Sequence, residues 1–140
     1  MGDSTRDDSI GSDELLFRRI LVKEGKVDPR TKQVDPTAFA PRHFDDTGIS
    51  LGRAAYETAE EEASRGTAKS EYYVAILSVE RLRKFGIQVD PKPIPGHLGH
   101  AEMPSLTYEN RHATEGLTHQ IRDCVVDVVG PFEGTTPRKK

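Results

Sequence analysis

Between Asp28 and Gly48 the chain carries Pro29, Pro36, Pro41 and a closing glycine, so no regular helix can run through this stretch. Proline lacks the amide hydrogen, its ring collides with the preceding helical turn, and it pushes the residue before it toward extended geometry. VDPTAFAPRHFDDTG is therefore expected as an extended, irregular segment, anchored by Phe39 and Phe44 inserting into the core. Structured loops of this length are uncommon in compact domains and are often functional. DPKPIPG at 90–96 forms a second break. Elements must therefore be short and lie on either side of these two barriers.

The segments between them sort by periodicity. LLFRRILV at 15–22 is apolar and β-branched enough for a strand, with Glu24-Gly25-Lys26 as the turn that follows. Strand alternation sends Arg18 and Arg19 to opposite faces, so one of them shares the side covered by Leu15 and Phe17. Leu51, Ala55, Ala59 and Ala63 at spacing four predict a helix that begins at Ser50 and ends at Gly66. YYVAIL at 72–77 predicts a strand running directly into a short helix, with Ser78 as its cap and Gly86 in the left-handed closing position. Further strands are expected over 87–89, 100–103 and 124–129, the last closed by Gly130-Pro131, with a helix across 105–119 capped by Ser105 or Thr107. The order β, irregular, α, β, α, β, β, α, β predicts an α+β domain with a small mixed sheet and about three helices, not a doubly wound nucleotide fold. The domain is expected over 13–132, with disordered tails at 1–12 and 133–140.

With 34% hydrophobic residues, 31% charged residues, a mean hydropathy of -0.63 and no Trp, the core must be modest. It must rely on Leu, Ile, Val and Ala, with Phe17, Phe39, Phe44, Phe85 and Tyr73 as bulky fillers. A net charge of -3 lacks the positive field that dominates nonspecific nucleic-acid binding, so a nucleic-acid partner is not expected. The single cysteine, Cys124, offers neither an intramolecular disulfide nor a CxxC zinc pair, and opens an apolar strand as a buried, inert thiol. A reducing, cytoplasmic location fits this. MGDSTRDDSIGSDE lacks the apolar run of a signal peptide, and no stretch approaches the roughly 18 apolar residues of a membrane span.

Two constellations carry candidate chemistry. In HLGHAE, His97 and His100 stand three apart with Glu102 close behind, but flanking prolines and glycines forbid the helix on which two histidines become a metal clamp. His112 and His119 share a face of the expected last helix. The simplest reading makes His97 a polar loop residue and His100 the entry to a strand, its ring directed into the sheet or onto a neighbouring pocket. No metal and no cofactor are expected. The second constellation is Arg18 or Arg19 with Ser50, where a planar guanidinium clamps phosphate or carboxylate and a serine at a helix start adds amide donors. Arg42, His43 and Arg53 are near in sequence and are ligand-binding candidates together with His112; Arg18, Arg19, Ser50 and His100 are the catalytic candidates. The plainer alternative pairs an arginine of strand one with Asp45, Asp46 or Glu102. Glu60, Glu61 and Glu62 are expected as a solvated helix face, and Asp45-Asp46-Thr-Gly as a turn. The chain contains no P-loop, no GxGxxG and no GxSxG elbow.

LFRRI, the proline-flanked segment ending at Phe39, GIS after an acidic turn, YYVAIL, LRKFGI, a double-proline loop and HAEM follow one another over residues 15–103. That order is similar to a group of small, largely uncharacterised bacterial proteins with an arginine-bearing first strand, a "G-V-A-x-L" strand and a "P-x-H-A-x-I" strand. The resemblance implies a bacterial source and the fold order, and it marks Arg18 or Arg19, Phe39, Ser50 and His100 as one set to test. With no catalytic motif, the expected function is a non-catalytic interaction or accessory module of a multi-gene system, with a protein partner. The alternative is a small enzyme or ligand-binding domain acting on an anionic, nucleotide-like substrate through an Arg/Ser/His pocket.

Overall fold

A computed structural model describes residues 10–137. It contains strands β1 (Leu15–Leu21), β2 (Ile49–Arg53), β3 (Glu71–Ser78), β4 (Asp90–Pro91), β5 (His100–Met103) and β6 (Val125–Glu133), with helices α1 (Ala59–Ser64), α2 (Val79–Lys84) and α3 (Glu115–Arg122). The strands form one sheet in the order β4-β5-β2-β1-β3-β6, and every neighbouring pair is antiparallel. The α+β class and three helices are as expected. Among the described residues, parallel pairing is confined to the isolated bridges Thr67–Thr136 and Ala68–Gly134.

β1 pairs with β3 along its whole length, from Leu15 opposite Ser78 to Leu21 opposite Tyr72. That register places Leu16, Ile20, Tyr73, Ala75 and Leu77 on one face, where they join Ile49, Leu51, Met103, Leu82 and Ile121 in the main core. Phe39 anchors this core from the proline-rich segment at 0% exposure. The opposite face carries Phe17, Val74 and Tyr72, covered by Ala63 of α1. β3 is thus buried on both faces, and its sequence reads as a continuous apolar run for that reason.

α2 forms as its sequence specifies. The Ser78 hydroxyl accepts from the Arg81 amide, Gly86 takes φ 74°, and Gly86 and Ile87 donate back to the Arg83 and Leu82 carbonyls. This double closure satisfies carbonyls that the helix end would otherwise orphan.

Several local expectations give way. Residues 49–53 are strand, not the start of a helix; the helix begins after Thr58, whose hydroxyl accepts from the Glu61 amide while the Glu61 carboxylate accepts from the Thr58 amide. This reciprocal capping box outweighs the alanine spacing. Likewise α3 starts at Glu115, because Asn110 side-chain bonds to the Thr107 amide and the Ser105 carbonyl hold 105–110 in turns. Residues 87–89 lie outside any strand, and β6 runs through Pro131 to Glu133, which an edge strand tolerates. Phe44 and Phe85 are 64% and 42% exposed, and neither fills the core. At the C-terminal end, Gly134, Thr135 and Thr136 donate to the Ser70, Ser64 and Gly66 carbonyls. Ile10 is buried, and residues 1–9 and 138–140 of the expected tails lie outside the described residues. No helix among the described residues is long and apolar enough to cross a membrane.

Candidate functional site

β1 and β2 pair only at Leu16–Arg53 and Phe17–Gly52. Beyond that point the Ser50 carbonyl accepts from Arg18 Nη1 at 2.9 Å, and Arg18 Nε reaches the Ala38 carbonyl at 3.4 Å. A cleft of about 410 Å³ opens here, lined by Arg18, Arg19, Arg42 and Arg65 together with Ser50, Phe44 and three carboxylates, Glu24, Asp45 and Glu62. Burial lowers Arg18 to about 10, so it remains cationic at neutral pH. Its hydrogen bonds go to carbonyls, whereas Arg42 pairs with Glu24 and Arg19 with Glu62 at 3.0 Å. Asp45 is buried in its turn, where its carboxylate accepts from the Arg42 amide.

A buried polar cluster adjoins the cleft and shares Arg19, Glu62 and Arg65 with it. Glu57, from the turn before α1, and Glu62, from α1, have side chains only 3% and 6% exposed. His97, from the loop before β5, closes over them with Nε2 3.1 Å from Glu57 Oε1 and 3.6 Å from Glu62 Oε1. The outer carboxylate oxygens are held: Glu57 Oε1 accepts from Arg65 Nη2 at 2.8 Å, and Glu62 Oε2 from Arg19 Nη1 at 3.0 Å. The inner atoms, Glu57 Oε2, Glu62 Oε1 and His97 Nε2, are buried without a hydrogen-bond partner among the described residues. Gly52 of β2 is what admits them, since a Cβ there would stand 2.1 Å from Glu57 Oε2 and 2.4 Å from Glu62 Oε1.

Burial pushes the Glu62 carboxyl up to about 8, and the adjacent Glu57 adds to this against the opposing pull of Arg19. Burial also works to raise Glu57, but the adjoining Glu62 carboxyl, the hydrogen bonds from Arg65 and the neighbouring His97 outweigh it and the net shift is downward. For His97, burial prevails over the attraction of Glu57 and lowers its value. One carboxylate, one carboxylic acid and a neutral imidazole therefore share this site at neutral pH.

Of the residues singled out in the sequence, Arg18, Arg19, Ser50 and Arg42 meet in the cleft. His100 reaches its edge: Nε2 is 3.1 Å from Ser50 Oγ, and Nδ1 is 3.0 Å from the Lys92 carbonyl. A carbonyl can only accept, so the neutral ring carries its proton on Nδ1 and leaves Nε2 to accept from the Ser50 hydroxyl. Ser50 does this from a strand, with no helix amides behind it. Neither Arg53, His43 nor His112 lines the cleft. Arg53 is buried, paired with Glu14 at 2.9 Å and stacked on Tyr56; His43 lies edge-on to Phe44; His112 is exposed in the turns before α3. Glu102 takes the Thr47 hydroxyl, not an arginine.

Glu57 and Glu62 escape the sequence reading altogether. Glu62 sits in a triple glutamate expected to face solvent, yet α1 turns it inward beside Ala63, while Glu61 is spent on the cap. The Thr58-Ala-Glu-Glu61 box was the available signal, because it fixes which glutamate points where. Comparison of the chain with protein-family models, with curated proteins and with solved structures finds no match.

Proposed function

We propose that the protein binds a small anionic, nucleotide-like ligand in the β1–β2 cleft, with Ser50 and His100 placed for proton transfer at its edge. The observation that carries this reading is Arg18, a cation held in a concave site by carbonyls, beside a serine hydroxyl bonded to an oriented histidine. Four arginines against three carboxylates favour an anion, and a planar guanidinium suits phosphate. Phe44, exposed at the cleft wall, offers an aromatic face to a base. A serine whose proton is accepted by histidine, with that histidine fixed by a third group, is also the arrangement of an activated nucleophile. Calorimetric titration with nucleoside mono- and triphosphates tests the reading. Saturable binding that Arg18→Ala abolishes, and that Ser50→Ala and His100→Ala retain, is expected; no heat with any nucleotide or with inorganic phosphate sinks it.

A second reading, an accessory module with a protein partner, is favoured by the exposed apolar side chains Ile94 and Leu98 on the loop over the buried cluster, at 47% and 66% exposure. Recovery of a stoichiometric partner by wild type and not by Leu98→Asp would support it. Equal recovery by both would count against that surface.

A further inference from the structure

We propose that Glu57, Glu62 and His97 form a binding site for a divalent transition-metal ion, a site that stands whether or not the neighbouring cleft takes an anion. Each of the three residues offers a ligand atom within 4.8 Å of the other two, and Glu57 Oε2, Glu62 Oε1 and His97 Nε2 are buried without a hydrogen-bond partner among the described residues. Two of these atoms belong to side chains that are more than nine-tenths buried. Such atoms have given up their hydration with no partner in return, a penalty that grows where the group is charged, so something of positive charge belongs between them.

The spacing fits a metal. With bonds of about 2.0–2.2 Å, neighbouring ligands stand about 3.0 Å apart in an octahedron and about 3.4 Å apart in a tetrahedron. His97 Nε2 is 3.1 Å from Glu57 Oε1, which also accepts from Arg65, and 3.6 Å from Glu62 Oε1, close to those edges. The surroundings also follow the pattern of a metal centre, in which ligating carboxylates are themselves held by a second layer of donors. Arg65 holds Glu57 Oε1 and Arg19 holds Glu62 Oε2, which leaves Glu57 Oε2 and Glu62 Oε1 without a donor above Gly52. Gly52 serves the same end by removing the side chain that would occupy their floor.

One imidazole with two carboxylates selects Mn²⁺, Fe²⁺ or Zn²⁺ over Ca²⁺, which takes six to eight oxygens, and over Mg²⁺, which keeps most of its waters. Three protein ligands leave coordination positions for water or for a ligand group. Glu62 also lines the arginine cleft, so the ion would lie beside the wall of that cleft.

The alternative occupant is a proton shared by the two carboxyls, and the experiment separates the two. Full-length protein stripped with EDTA is titrated with Mn²⁺, followed by electron paramagnetic resonance, and with Zn²⁺ by calorimetry. A single saturable equivalent is expected, lost in Glu57→Gln, Glu62→Gln and His97→Gln and kept in His112→Gln, with circular dichroism confirming that each variant is folded. X-ray absorption at the zinc edge of the wild type provides a measurement independent of any variant, with one imidazole among oxygen donors as the expected shell. Absence of uptake of either ion, undiminished uptake by Glu62→Gln, or a shell containing sulfur or lacking imidazole would overturn the site and leave the proton as its occupant. Nucleotide binding lost in Arg18→Ala with Mn²⁺ uptake intact would confirm that the two sites fail separately.

Discussion

The two faces of the sheet solve burial in opposite ways. On the main core face, apolar side chains from every quarter of the chain interlock, and Leu16, Phe39, Ile49, Leu51, Leu77 and Met103 are all at 0% exposure. One titratable group set among them, the Cys124 thiol, is pushed up to about 11 by burial and stays protonated. Across the sheet the cover is a six-residue helix, and beside its small apolar cluster two arginines hold two glutamates that, with a histidine, keep three buried atoms unmatched. Hydrophobic residues of similar volume would fill that space at least as stably. Retaining charges there argues that this face is organised for binding, with Arg18 reaching the cleft from the core side of β1, and the apolar core for stability.

Removing a large side chain from each face should separate these roles, beginning with the largest effect. Phe39→Ala deletes a fully buried ring from the main core and is expected to cost about 3–5 kcal/mol in urea unfolding. A loss below about 1 kcal/mol would mean that the proline-rich segment is not part of the core, and the contrast between faces would collapse.

Gly52→Ala probes the boundary. Its Cβ would meet two carboxylate oxygens at 2.1 and 2.4 Å, so Glu57 and Glu62 must move off the sheet, at about 1–3 kcal/mol. Unfolding at wild-type urea concentrations would show that the carboxylates do not rest on that strand.

Thr58→Ala reaches the same face from the helix. It removes the hydroxyl that accepts from the Glu61 amide and is expected to cost about 1 kcal/mol. The effect should appear first as faster amide exchange in α1 than in α2, whose Ser78 cap is untouched. Equal protection in the two helices would break the expectation.

The two faces were also unequally legible. Core strands announce themselves, because a strand buried on both faces leaves an apolar run such as YYVAIL, and α2 carries its start and stop signals, Ser78 and Gly86, in its own sequence. Phe39 could be placed because an aromatic residue set between prolines has few other uses. The binding face could not, since its residues obey local rules that conceal a distant partner. Ser50 and Gly52 belong to a strand because β5 lies beside them, with Ser50 opposite Glu102 and Gly52 opposite His100. Read alone, the alanines beyond them suggest a helix. His97 meets Glu57 and Glu62 across a sequence separation that no spacing rule spans. The expected convergence of arginine, Ser50 and His100 came closest, because strand alternation and a histidine at a strand entry are both local facts.

The smallest expected effect on stability belongs to Phe44, which hydrophobicity alone would place in the core. It is 64% exposed, with His43 edge-on at 5.2 Å and the arginine cleft beside it. Truncating an exposed ring away from caps and buried networks changes stability by no more than about 0.5 kcal/mol, and Phe44→Ala should unfold with the wild type. Its consequence should fall on binding. Loss of a base-stacking ring is worth about 1–3 kcal/mol, so nucleotide affinity should drop about five- to a hundredfold while inorganic phosphate binds as before. A matching loss for phosphate would move Phe44 from contacting a base to shaping the arginines. A loss of stability comparable to that of Phe39→Ala would return it to the core, and the exposed aromatic would cease to distinguish the binding face from the packed one.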